Sequence, residues 1–198
     1  MKRRVLLAAL ALLAPVSGCA PSEAALPLRD DDDGYRWASP SGPLGRGFCL
    51  TLVRGRRPSQ VVPVIGGKSF EWVDWAQLVG PGDGEEGGSR YFAGIAYLGD
   101  WTVILEDRGG LGMDGLIAGP LSAGTEVVAY QCGADRHAHT RIYRDGRIEL
   151  DQNTAEQGAD VTDPTEAAIT FVESQVGFKL TGALLESKRY LLVTVPKT

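Results

Sequence analysis

Histidine is nearly absent from this chain: two residues in 198, His137 and His139. A metal centre or catalytic triad that relies on imidazole must therefore use this one pair. Cysteine is almost as scarce, with Cys19, Cys49 and Cys132, too few for a disulfide-stapled scaffold or a four-cysteine zinc site. No unbroken apolar stretch is long enough to span a bilayer. Val5–Val16 would make a helix of roughly 18 Å against the roughly 30 Å of a hydrocarbon core. There is no Gly-x-Ser-x-Gly elbow, no phosphate-loop lysine behind a glycine run and no internal repeat, so no cofactor is implied. Basic residues are outnumbered, 20 Lys and Arg to 25 Asp and Glu, which excludes a phosphate-backbone partner such as nucleic acid.

What is present begins with Lys2, Arg3 and Arg4, followed by the apolar run and then Val16-Ser17-Gly18-Cys19. A basic start, a short apolar stretch and small residues form the layout of an export signal. The last four residues resemble a bacterial lipobox, whose cysteine receives lipid and becomes the new N-terminus. That resemblance implies a signal peptide over 1–18 and lipidation at Cys19. Plain secretion, with cleavage after a small residue such as Ala24, is the rival reading. Two or more acyl chains hold a protein stably, at about 0.8 kcal/mol per buried methylene. The expected location is thus the extracytoplasmic face of the cell membrane. Losing 1–18 removes three basic residues and no acid, so the formal charge moves from −5 to −8.

Residues 19–34 are rich in Ala, Pro, Ser and Asp, and Asp30–Asp33 are four successive carboxylates. Like charges in series extend a flexible segment, and the alternate ligand spacing of a calcium loop is missing. This stretch reads as a tether, leaving 35–198 as one globular domain.

Within the domain, Gly47–Gly55 reads as a strand buried on both faces. Pro58 opens a short segment that Pro63 should stop. Ser69–Gly80 reads as a helix, with Trp72, Val73, Ala76 and Val79 on one stripe and Trp75 at its edge. Hairpins are predicted around Gly99-Asp100 and Asp145-Gly146. Between them come a turn or two of helix at Met113–Gly119 and a strand ending at Cys132. Asp163-Pro164-Thr165-Glu166 opens a helix carrying Ala168, Ile169, Val172 and Val176, and Gly177 ends it. Thr181 caps a second helix, and the chain closes as an edge strand or packed tail. The predicted class is α+β: an antiparallel meander of about five to six strands, one helix in the N-terminal half, and two C-terminal helices on one face.

The segments FCLTLVRG, WTVILE, LSAGTEVV and FVESQVGFKLTGALLES, in this order, resemble an actinobacterial family of small α+β domains of unknown function, over Tyr35–Lys188. The resemblance implies that fold and an actinobacterial source, and brings no activity. The chain departs from it in its leader, since the family's domains are cytoplasmic, and at Pro63, where they continue a short helix.

Candidate chemistry is thin. His137 and His139 would share a strand face and could hold a metal with Asp135 as third ligand. Two solvated histidines ahead of a hairpin are the commoner case. Cys49 and Cys132 are a candidate disulfide in an oxidising compartment, with two buried free thiols as the alternative. Glu106 and Asp107 could act as acid and base, or end a strand in solvent. Tyr35, Trp37 and Trp75 are candidate interaction residues, Trp37 being the one expected to be most exposed, with Trp72 and Trp101 in the core. These features favour a lipid-anchored, non-enzymatic protein-binding module over two alternatives. One is an envelope hydrolase with catalytic residues from distant segments, and the other is a structural envelope lipoprotein.

Overall fold

In the computed structural model, residues 34–79, 90–153 and 164–196 are described. The leader 1–18, Cys19, most of the acidic tether and the Asp163 cap lie outside them. The described part falls within one compact unit, Asp32–Thr198.

The first element is a single 3-10 turn, Arg36–Ala38. Strand β1, Phe48–Arg54, follows, buried on both faces as its unbroken apolar and β-branched run requires. Helix α1, Pro58–Val64, starts with Pro at its first position and carries Pro63 inside. The helix ends at Val64, one residue past Pro63 and so within a turn of it as expected, with the Ile65 N–H closing the last turn on the Val61 carbonyl at 3.2 Å.

The helix predicted over Ser69–Gly80 is incorrect. Lys68–Val73 forms strand β2, and only Trp75–Leu78 is helical, as α2. Asp74 decides the boundary. Its carboxylate accepts from the Gln77 N–H at 3.0 Å, while the Gln77 side chain accepts from the Asp74 N–H at 3.1 Å. This reciprocal cap starts the helix after Val73 and leaves the β-favouring Phe70, Trp72 and Val73 to the sheet.

Strands β3, Arg90–Leu98, and β4, Trp101–Asp107, form the first predicted hairpin. Helix α3 is Gly115–Leu121, capped by Asp114. Strands β5, Glu126–Cys132, β6, Ala138–Arg144, and β7, Arg147–Asn153, run consecutively. The turn between β6 and β7 has positive φ at both Asp145 (50°) and Gly146 (78°), the requirement of a tight primed hairpin. Helix α4, Pro164–Val176, ends at Gly177, whose φ is +83°. Helix α5, Gly182–Glu186, is capped by the Thr181 hydroxyl, which accepts from the Leu184 N–H. Strand β8, Tyr190–Pro196, completes the fold.

Among the described residues the sheet has eight strands, not five or six, in the order β2-β8-β3-β4-β1-β5-β6-β7, and its pairings are antiparallel. It is not a simple meander. β1 inserts between β4 and β5, and β8 returns to lie between β2 and β3 rather than at an edge. One face carries Phe48, Leu50, Leu105 and Tyr130, covered by α2, α4, α5 and Trp37. Ile169 and Val172 of α4 and Leu185 of α5 are fully buried there, each worth about 1.5–3 kcal/mol. The opposite face packs Val53, Ile95, Ile104 and Val127 under α1 and α3. Helices therefore lie on both faces.

Candidate functional site

The most concentrated chemistry lies on the second face, where β4 meets β1. The register places Cys49 opposite Glu106, so thiol and carboxyl are neighbours on one face. Glu106 is fully buried. Its Oε1 accepts from the Tyr91 hydroxyl of β3 at 2.5 Å. The Leu111 N–H lies 3.3 Å from Oε1 and 3.1 Å from Oε2. The nearby Gly110 N–H and Cys49 thiol also favour the charge of this carboxyl, and the Gly112 N–H favours that of the Cys49 sulfur. Successive backbone N–H groups at 110, 111 and 112 thus converge on the pair, as in an anion-binding nest, with the protein's own carboxyl as occupant.

The glycines of Gly109–Met113 are needed for this approach. A Cβ at Gly109 would sit 2.2 Å from Glu106 Oε1, and one at Gly112 would sit 2.3 Å from Thr51 Oγ1. Two further side chains pin the segment: the Gln131 amide donates to the Gly109 carbonyl at 2.9 Å, and Arg141 donates to the Met113 carbonyl at 2.6 Å. Burial dominates the electrostatics. It pushes the Glu106 carboxyl up to about 7, outweighing the donors that favour its charge. Burial, then the neighbouring Glu106, raises both the Tyr91 hydroxyl and the Cys49 thiol well above their ordinary ranges.

The other candidates are dispersed. Asp107 points away from Glu106 along the strand and holds Arg46 at 2.8 Å, so the two carboxylates do not face one site. His137 pairs with Asp135 at 2.9 Å, and His139 pairs with Asp151 at 2.5 Å. Each imidazole is drawn to a different carboxylate, and among the described residues no three His, Cys, Asp or Glu side chains are grouped to hold a metal. Hydrogen bonds hold both acids below the usual carboxylate range, donated to Asp135 by His137 and to Asp151 chiefly by Arg141.

Cys49 and Cys132 are free and buried. The β1–β5 register pairs Phe48 with Cys132 and Cys49 with Gln131. A one-residue offset sends the two thiols to opposite faces, which rules out the candidate disulfide.

The interaction residues are also corrected. Trp37, expected to be most exposed, is 3% exposed. Its ring lies 5.2 Å from Phe48, and its Nε1–H donates to the Leu180 carbonyl at 2.9 Å. Tyr35 is half-buried and donates to Glu173 Oε2 at 2.9 Å, while Glu173 Oε1 accepts from the Leu180 N–H at 2.7 Å. Together they clamp the start of the domain to the α4–α5 connection. Trp75 is buried 6.1 Å from the Tyr190 ring. The exposed aromatics are instead Phe70 at 68% and Trp72 at 52%, both on β2, and Tyr97 of β3. Trp72, expected in the core, moved out when the predicted helix gave way to an edge strand.

Described residues line clefts at two places away from the Glu106 group. One, of about 320 Å³, is lined by Arg36, Trp37, Ser39, Ser41 and Glu186 among others. The other, of about 270 Å³, lies between Arg54, Glu126 and Arg144. Glu106, Asp107, His137 and His139 line neither.

Sequence reasoning did not single out Tyr91, Gln131, Arg141 or Asp151 as partners in these groups. The local signal for the nest was Glu106 followed by Gly109-Gly110-Leu111-Gly112. The rest depends on strand order. Among the described residues, no helix is long and apolar enough to cross a membrane.

Comparison with curated proteins and with solved structures finds no match. Residues 30–160 match the family described as "Family of unknown function (DUF6461)". That span contains the Glu106 nest, both histidines and strands β1 to β7, and on this match the chain belongs to the DUF6461 family.

Proposed function

We propose that this is a lipid-anchored, extracytoplasmic binding domain of an actinobacterial cell envelope, which captures an extended segment of another protein along strand β2. The contrast between the two sheet edges carries the binding half of this reading. β7 presents Arg147, Glu149 and Asp151, charges that discourage pairing with a passing strand. β2 pairs with β8 on one side only and exposes Phe70 and Trp72. An edge with exposed aromatics suits strand addition, in which main-chain bonds supply affinity and side-chain contacts supply specificity. The formal charge of −8 left after removal of 1–18 favours a segment flanked by Lys or Arg.

The anchor rests on Lys2-Arg3-Arg4, the uncharged run behind them, and Val16-Ser17-Gly18-Cys19. Residues 19–34 then hold the domain off a membrane whose anionic lipids repel it.

A photo-crosslinking residue placed at Ser69 on β2, and separately at Ile148 on β7, tests the binding half in membranes. A discrete adduct with one other protein is expected from position 69 alone, and Phe70→Ser with Trp72→Ser should abolish it. No adduct, equal adducts from both edges, or an adduct of twice the chain's mass refutes the proposal. Mass spectrometry of the mature N-terminus tests the anchor: acylated Cys19 is expected, and an unmodified or different terminus overturns it.

A further inference from the structure

Strand β2 is irregular. Its register with β8 shifts between Ser69 and Trp72: Ser69 lies opposite Val193 and Trp72 opposite Leu191, so Phe70 and Glu71 together stand against Leu192 alone. Two residues against one make a β-bulge, which re-aims the side chains on either side of it. In a regular strand Phe70 and Trp72, two apart, would share a face. Here they do not. Phe70 packs edge-on against Phe92 at 6.0 Å. Phe92 alternates in step with Ala96 and Leu98, which line the face under α2, α4 and α5. Trp72 stands opposite Leu191, which packs with Ile95 and Val193 on the face under α1 and α3.

We propose that β2 selects extended segments carrying two consecutive large apolar residues, one seated against Phe70 and Phe92 and the next against Trp72 and Leu191 on the opposite face. This selectivity rests on the strand-capture reading and adds to it the kind of sequence captured. An incoming strand alternates its side chains between faces residue by residue. Its residue opposite Trp72 meets the Trp72 face, and the neighbour opposite the Phe70-Glu71 step meets the Phe70 face. Without the bulge, both aromatics would lie on one face and match apolar residues two apart.

The apolar surface to be covered is present on both sides. Phe70 and Trp72 are more than half exposed, and Phe92 and Leu191 are half-buried beside them. Charge adds a second requirement. Glu71 is exposed within the bulge and Lys68 is exposed at the start of the strand. A Lys or Arg in the captured segment is therefore complementary at the end of the apolar pair away from Lys68.

A random peptide library displayed on phage is panned on the full-length protein and, in parallel, on Phe70→Ser with Trp72→Ser. Both replaced side chains lie outside the core, so the double variant should keep the far-UV circular dichroism of the unaltered protein. Peptides enriched on the unaltered protein alone should share two consecutive large apolar residues beside a Lys or Arg. That spacing is read on the unaltered protein and needs no variant to fold. A fluorescein-labelled peptide of the consensus is then titrated by anisotropy. Phe70→Ser and Trp72→Ser should each weaken it by about tenfold. Changing one residue of the pair to Ser should cost about tenfold on the unaltered protein but at most about twofold on Phe70→Ser, and its neighbour should behave likewise on Trp72→Ser. A consensus of alternating apolar residues, or coupling of the two aromatics to peptide residues two apart, overturns the adjacent-pair rule and leaves strand capture standing. No enrichment, or equal enrichment on the double variant, overturns both.

Discussion

Replacing Trp37 by alanine separates a core role from a surface role, because the two differ by an order of magnitude in cost. The indole is buried against Phe48 at 5.2 Å, in contact with the aromatic cluster that continues to Tyr130 at 5.5 Å. Removing a buried tryptophan costs about 3–5 kcal/mol from lost transfer energy and the residual cavity. The Leu180 carbonyl also loses its Nε1–H donor, adding about 1 kcal/mol if it stays dry. Against a typical domain stability of about 5–15 kcal/mol, Trp37→Ala should lower the urea midpoint sharply. For a chain of this size the melting temperature should drop by about 10 °C or more. Trp37→Phe keeps most of the packing and removes the donor, so its cost should be about 1–2 kcal/mol. Urea denaturation followed by far-UV circular dichroism and by tryptophan fluorescence measures both. A surface interaction residue would cost at most about 0.5 kcal/mol on substitution. A Trp37→Ala cost below about 1 kcal/mol would refute the packing argument made here.

Stability should also depend on pH through Glu106. Its carboxyl binds a proton more tightly in the fold, at about 7 against 4.5, so stability is greatest below the lower value and declines as pH rises toward the upper one. The loss is about 3 kcal/mol, and Glu106→Gln should flatten it in urea titrations at pH 5 and pH 8. Gly112→Ala drives a methyl to 2.3 Å from Thr51 Oγ1 and 2.7 Å from the Ala129 Cβ. It should cost about 1–3 kcal/mol, whereas Gly115→Ala, with open space at that position, should stay within about 0.5 kcal/mol. Alkylation of the urea-unfolded protein without reductant should modify both Cys49 and Cys132, since they sit on opposite faces; recovery of a peptide bridging them would contradict the β1–β5 register.

Local chemistry in the chain was sufficient for the elements that local chemistry controls. Asp145-Gly146 specifies a primed turn because both residues tolerate positive φ. Thr181 and Gly177 mark helix ends because one supplies a capping oxygen and the other a left-handed backbone. The unbroken apolar run of β1 reports that both of its faces are buried. Tertiary structure decided what depends on neighbours distant in sequence. Lys68–Val73 carries a helical stripe and strand propensity at once, and pairing with β8, together with the Asp74 cap, selected the strand and left Phe70 and Trp72 outside. Trp37 follows a polar stretch and reads as surface, until β1 and the α4–α5 connection close over it. Glu106 reads as the wet end of a strand. It becomes a sealed carboxyl because β1 inserts between β4 and β5, bringing Cys49 beside it, while a glycine segment fits closely enough to turn its N–H groups inward. A residue's propensity is encoded in its own few neighbours along the chain, but its burial, and with it the proton affinity of its side chain, is set by which strands lie alongside.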